Sequence, residues 1–113
     1  MAELRFLVYL IDLQQNKRSF KGWLRVTVNE ASLEEELIKL KEEFIKNGRN
    51  IIMKHFSDQE RYNIAFISEI DVHSDLLLYE YEVRGHRIQV LYRYVGRIEY
   101  IISKIFPFLY ALF

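Results

Sequence analysis

At 113 residues the chain is long enough for one core and too short for two, so a single domain spanning 1–113 is expected. Sixteen basic and sixteen acidic residues cancel, which excludes a broad electrostatic hold on nucleic acid or an anionic membrane and leaves only a local basic patch for either. The absence of cysteine excludes a disulfide framework, thiol catalysis and thiolate metal sites.

Leu4 to Leu13 is apolar in both alternating registers, with Leu4, Phe6, Val8 and Leu10 on one side and Leu7, Tyr9, Ile11 and Leu13 on the other. A strand without a wet side belongs inside a sheet or is covered on both faces. Gln14 to Arg18 is a polar turn, and Ser19 to Asn29 alternates as a second strand. That alternation turns Phe20, Leu24, Val26 and Val28 inward and Lys21, Trp23, Arg25 and Thr27 outward. A Trp between two basic residues has two readings: a surface ring shielded by their stems, or a base-stacking platform with phosphate-binding flanks.

Ser32 and Glu35 form a capping box, and Leu33, Leu37, Leu40 and Phe44, flanked by Ile38 and Ile45, give one apolar helical stripe. Asn47-Gly48 reads as the helix stop. Ile51 to Phe56 is then a short strand or a buried linker, and Ser57 to Arg61 a polar turn. Tyr62 to Val72 alternates as a strand, and Ser74-Asp75 turns the chain again.

Leu76 to Val95 carries the clearest pattern in the sequence, a β-hairpin. Leu77, Tyr79, Tyr81 and Val83 alternate with Leu78, Glu80 and Glu82 before the turn, and Ile88, Val90, Tyr92 and Tyr94 with Arg87, Gln89 and Arg93 after it. A two-residue loop at Arg84-Gly85 sets Glu82 opposite Arg87, Tyr81 opposite Ile88 and Tyr79 opposite Val90, so charge and size match across the strands. From Gly96 the period becomes helical, with Ile98, Ile101, Ile102, Ile105, Phe106 and Leu109 over a wide arc until Pro107 breaks the helix.

These elements predict an α+β fold: a mostly antiparallel sheet of five or six strands in the order ββα(β)βββα, with both helices on one face. The leading residues Met1-Ala2-Glu3 lack a positive segment followed by an apolar run, so no secretory signal and a cytoplasmic location are expected. Few glycines, one proline and abundant Lys, Glu, Arg, Ile and Tyr make a thermophile-like composition.

Three candidate sites follow. Glu69, Asp71, His73 and Asp75 lie two residues apart, so a regular strand projects all four from one side, where they could hold Mg²⁺ or Mn²⁺ and activate water for phosphodiester hydrolysis. The alternative is the polar side of a half-exposed strand. Restriction-type nuclease cores follow an acidic residue with Glu-x-Lys, whereas Glu82 here is followed by Arg84. The three histidines, His55, His73 and His86, fall on different elements at no metal-ligand spacing. Lys21, Trp23 and Arg25, with Arg87 and Arg93, are candidate nucleic-acid contacts, although element order and signature peptides do not match an RNA-recognition domain.

The third is the apolar C-terminal segment: Ile105, Phe106, Phe108, Leu109, Tyr110, Leu112 and Phe113. It is too short and too interrupted by Glu99, Lys104 and Pro107 to span a membrane, and it lacks the basic face of an interfacial helix. It either folds back over its own sheet or meets a second subunit. The favoured reading is a non-catalytic binding protein acting as a homodimer through this segment, with no cofactor. Nucleic-acid binding and a metal-dependent nuclease are the alternatives.

Overall fold

A computed structural model describes residues 2–29, 31, 33–56, 63–73 and 75–111. The expected Ser32 cap, the side chain of Leu33, the turn at 57–61, Tyr62, Ser74, Leu112 and Phe113 lie outside the described residues. The elements run β1 (Ala2–Asp12), β2 (Lys17–Val28), α1 (Leu33–Phe56), β3 (Ile64–His73), β4 (Leu76–Val83), β5 (His86–Val95), α2 (Arg97–Ile105) and α3 (Pro107–Ala111). The five strands form one antiparallel sheet in the order β2-β1-β5-β4-β3, an α+β fold.

The β4–β5 hairpin has the expected register, with Glu82 opposite Arg87, Tyr81 opposite Ile88 and Tyr79 opposite Val90. Arg84 and Gly85 both have positive φ, +53° and +79°. Two such residues in a two-residue loop match the right-handed twist of the strands they join. β5 pairs with β1 on its other side, so the hairpin occupies the middle of the sheet.

One face of the sheet holds the main core. Phe6, Val8, Leu10, Tyr79, Tyr81, Ile88, Val90 and Tyr92 are buried there with Phe44 and Ile52 of α1. Phe44 sits at the centre, its ring 5.0 Å from Phe6 and 4.6 Å from Tyr92, both edge-to-face. Such pairs add roughly 0.5–1.5 kcal/mol each beyond area burial.

The expected stop at Asn47-Gly48 is overturned: α1 runs on through Ile51 to Phe56, which is helix and neither strand nor linker. Gly48 is buried, and a Cβ there would lie 2.3 Å from the Tyr81 hydroxyl. The glycine brings helix and sheet together instead of ending the helix. Tyr81 donates its hydroxyl to the Ile45 carbonyl at 2.8 Å, and Tyr92 donates to Asn47 Oδ1 at 2.7 Å, so both phenols are anchored on the helix turn beside Gly48. Leu37 and Ile38, expected in the buried stripe, are exposed.

The second helix is placed differently from the expected single-face layering. α1 packs on the face of Phe6 and Val8, whereas Tyr100 of α2 joins Leu7, Tyr9 and Val95 on the opposite face. Both sides of β1 are therefore covered, as its double apolar register requires. Ile98, Ile102 and Ile105, expected to share the core with α1, are exposed, and the residues α2 buries are Tyr100 and Ser103.

Candidate functional site

The second face is built around a bulge. Val8 of β1 is opposite Gly22 while Tyr9 is opposite Phe20, so Lys21 is the extra residue and the alternation of β2 reverses there. Gly22 takes the positive φ of +117° that the irregularity needs. Phe20 and Trp23 consequently lie on the same side, edge-to-face at 5.3 Å. Trp23, expected to point outward, packs under α2: its Nε1 donates to Ser103 Oγ at 2.8 Å, and that hydroxyl donates to the Tyr100 carbonyl at 2.7 Å. The Lys104 ammonium stands 5.4 Å from the Trp23 ring centre and 4.8 Å from that of Tyr100. Pro107 starts α3, whose Tyr110 ring lies 6.4 Å from Phe20, so the chain through Tyr110 folds back onto its own sheet.

Between the sheet and the end of this helical pair lies an open groove of about 660 Å³. Leu91 and Arg93 of β5, Tyr9 of β1 and Leu76 of β4 form its floor; Glu99, Leu109 and Tyr110 form one wall, and Arg18 of β2 the rim. Arg93 is ion-paired with Glu99. Arg18 lies over the Tyr9 ring with its guanidinium carbon 5.2 Å from the ring centre. Burial holds the Tyr9 phenol above its ordinary value, against the opposing pull of Arg93 and Arg18. Tyr9 thus lies within the electrostatic reach of both arginines.

The outer side of α2 and α3 is a separate feature. Ile98, Ile105 and Phe108 are 76%, 62% and 60% exposed, and Ile101, Ile102, Phe106 and Leu109 are exposed between them. The amphipathic pattern is inverted: the helix turns a serine to the sheet and its isoleucines outward. Ile105, Phe106, Phe108 and Leu109 of the expected C-terminal patch are brought together here, while Tyr110 is turned inward.

The acidic series does not converge. Glu69 and Asp71 pair with Tyr79 and Leu77, on the α1 side, where Glu69 accepts a hydrogen bond from Tyr79 at 3.0 Å. A bulge between Asp71 and His73 then reverses the alternation and sets His73 opposite Leu76. His73 Nδ1 donates to Asp75 Oδ1 at 2.7 Å, which holds the Asp75 carboxyl below its ordinary value. Among the described residues, no group of three or more His, Asp or Glu side chains could hold a metal ion.

The basic candidates are distributed over the second face. Trp23 and Arg93 flank Leu7 in register, whereas Arg87 sits near the hairpin turn at the other end of β5. Arg25 pairs with Glu3 at 2.9 Å and Arg87 with Glu80 at 3.4 Å. Lys21, on the bulge, has its ammonium pushed down first by burial and then by Lys17. Tyr9, Arg18, Leu76, Leu91 and Glu99 belong to no sequence candidate, and the second apolar register of β1 is a signal for Tyr9 alone.

Comparison of the chain with protein-family models, with curated proteins and with solved structures finds no match.

Proposed function

We propose that the protein is a non-catalytic binding module that pairs with a second copy of itself through the outer side of α2 and α3. The observation that carries this reading is the run of seven exposed large apolar side chains from Ile98 to Leu109. On average they are about half exposed, so together they offer on the order of 700 Å², close to one partner's share of an ordinary specific interface. A two-fold arrangement lets one patch cover itself. The zero net charge leaves no long-range repulsion between copies. A lipid surface fits less well, because α2 carries only Arg97 and Lys104 as cations, short of the Lys/Arg-rich polar face that interfacial helices use. No helix among the described residues is long and apolar enough to cross a membrane.

Sedimentation or light scattering at two concentrations about a hundredfold apart tests the reading, since self-association follows mass action. The expected result is a dimer at the higher concentration, and a folded monomer for the double variant Ile98→Glu, Phe108→Ser. A wild-type chain that stays monomeric at both concentrations overturns it. A salt-sensitive quenching of Trp23 by oligonucleotide would instead favour the nucleic-acid alternative.

A further inference from the structure

The groove over Tyr9 has a charge balance of its own. Arg93 is neutralised by Glu99, but Arg18 has no carboxylate within ion-pair distance among the described residues. One uncompensated positive charge therefore stands at the rim. The apolar lining is supplied by Leu76, Leu91 and Leu109, from three different elements, beside the Tyr9 and Tyr110 rings. At about 660 Å³ the space is that of a small-molecule site, of the kind in which an apolar lining takes the body of a ligand and a few polar groups orient it.

We propose that this groove binds a monoanionic amphiphile, one carboxylate on an aliphatic or aromatic body, with the carboxylate on Arg18 and the body against the three leucines. A guanidinium presents two parallel N–H donors that match the two oxygens of a carboxylate. The Arg18 side chain is already stacked on Tyr9, so less of its freedom is lost when it binds. The single charge also sets the class. A phosphate monoester brings between one and two negative charges, and the surplus would stand unpaired beside Glu99. The inference does not rest on self-association: the groove floor belongs to the sheet, and of the seven exposed apolar side chains of α2 and α3 only Leu109 also lines the groove.

Calorimetric titration with decanoate below its micelle threshold, and with decanol, decylammonium and decyl phosphate, tests the proposal. One decanoate should bind per chain, with the alcohol and the ammonium at least about tenfold weaker. Arg18→Gln should weaken decanoate about tenfold while leaving decanol unchanged; Arg18 is exposed, so the variant keeps its melting temperature. Arg25→Gln, outside the groove, should bind as the wild type does. Absence of decanoate binding at millimolar concentration overturns the proposal. So does equal affinity for decanol, tighter binding of decyl phosphate than of decanoate, or full affinity in Arg18→Gln.

Discussion

Under α1, Tyr79, Tyr81 and Tyr92 bury their rings almost completely and still find an acceptor for each hydroxyl: Glu69, the Ile45 carbonyl and Asn47. Across the sheet the arrangement is the reverse, for α2 faces the strands with Tyr100 and Ser103 and turns its isoleucines away. The first face is complete within one chain. The second is held by a hydrogen-bond chain from Trp23 through Ser103 and by a modest aromatic cluster, and it leaves both a groove and an apolar patch open. Stability should therefore reside under α1, and binding under α2.

High pH should expose this division most strongly. Burial holds the Tyr79, Tyr81 and Tyr92 phenols well above the ordinary value of 10.0. A folded-state value raised above the unfolded one gives stability that is complete below pH 10 and is lost as pH rises toward the folded values. Each phenol then withdraws up to about 1.4 kcal/mol per pH unit above 10, or about 4 kcal/mol for the three. Unfolding and tyrosinate absorbance should rise together in one cooperative step. A gradual, non-cooperative titration of these phenols in a folded chain would contradict the burial argument.

Phe44→Ala comes next. The ring is only 2% exposed and touches Phe6, Tyr79 and Tyr92, so its loss should cost about 3–5 kcal/mol by denaturant unfolding. Gly48→Ala should follow at about 1–3 kcal/mol, although the same change in an open helix stabilises by up to about 1 kcal/mol. The new methyl must displace a Tyr81 ring that is fully buried and already committed to Ile45. On the other face, Ser103→Ala leaves the Trp23 N–H without its acceptor and should cost about 1–2 kcal/mol, with a shift in Trp emission as the local report.

These contrasts also mark what the sequence disclosed. The central hairpin was legible because everything that fixes it is local: period two, cross-strand pairs and a turn with a glycine in place. The first hairpin and the β1 strand covered on both sides were legible for the same reason. The length of α1 was not, because Asn47-Gly48 is the ordinary stop signal, and only Tyr81, more than thirty residues away, reveals that Gly48 serves close packing. Leu40, Phe44, Ile52 and Phe56 do keep helical spacing across it, a continuity that the stop signal masked.

Bulges hid the rest. On β2 a mid-strand glycine marked the irregularity at Lys21-Gly22, and reading it would have put Phe20 and Trp23 on one side. On β3 the interruptions between Phe66 and Ser68 and between Asp71 and His73 carry no glycine or proline, so nothing local separated Glu69 and Asp71 from His73. Hydropathy alone turned the isoleucines of α2 inward. The residues that face the sheet instead are Tyr100, buried beside Leu7, Tyr9 and Val95, and Ser103, hydrogen-bonded to Trp23, and hydropathy marks neither.

The smallest expected effect is the one that separates the two faces most cleanly. Ile105→Lys replaces an apolar residue 62% exposed at the end of α2, where a cation faces the carbonyl end of the helix and helix propensity barely changes. In dilute solution its melting temperature should match the wild type to within about 0.5 kcal/mol of stability. At high concentration the wild type gains stability from pairing, by mass action, and the variant does not, so the two melting curves should separate only as protein is added. Under α1 no charge could be introduced so cheaply. Melting temperatures independent of concentration for both chains would mean that the outward isoleucines of α2 have no twin to meet.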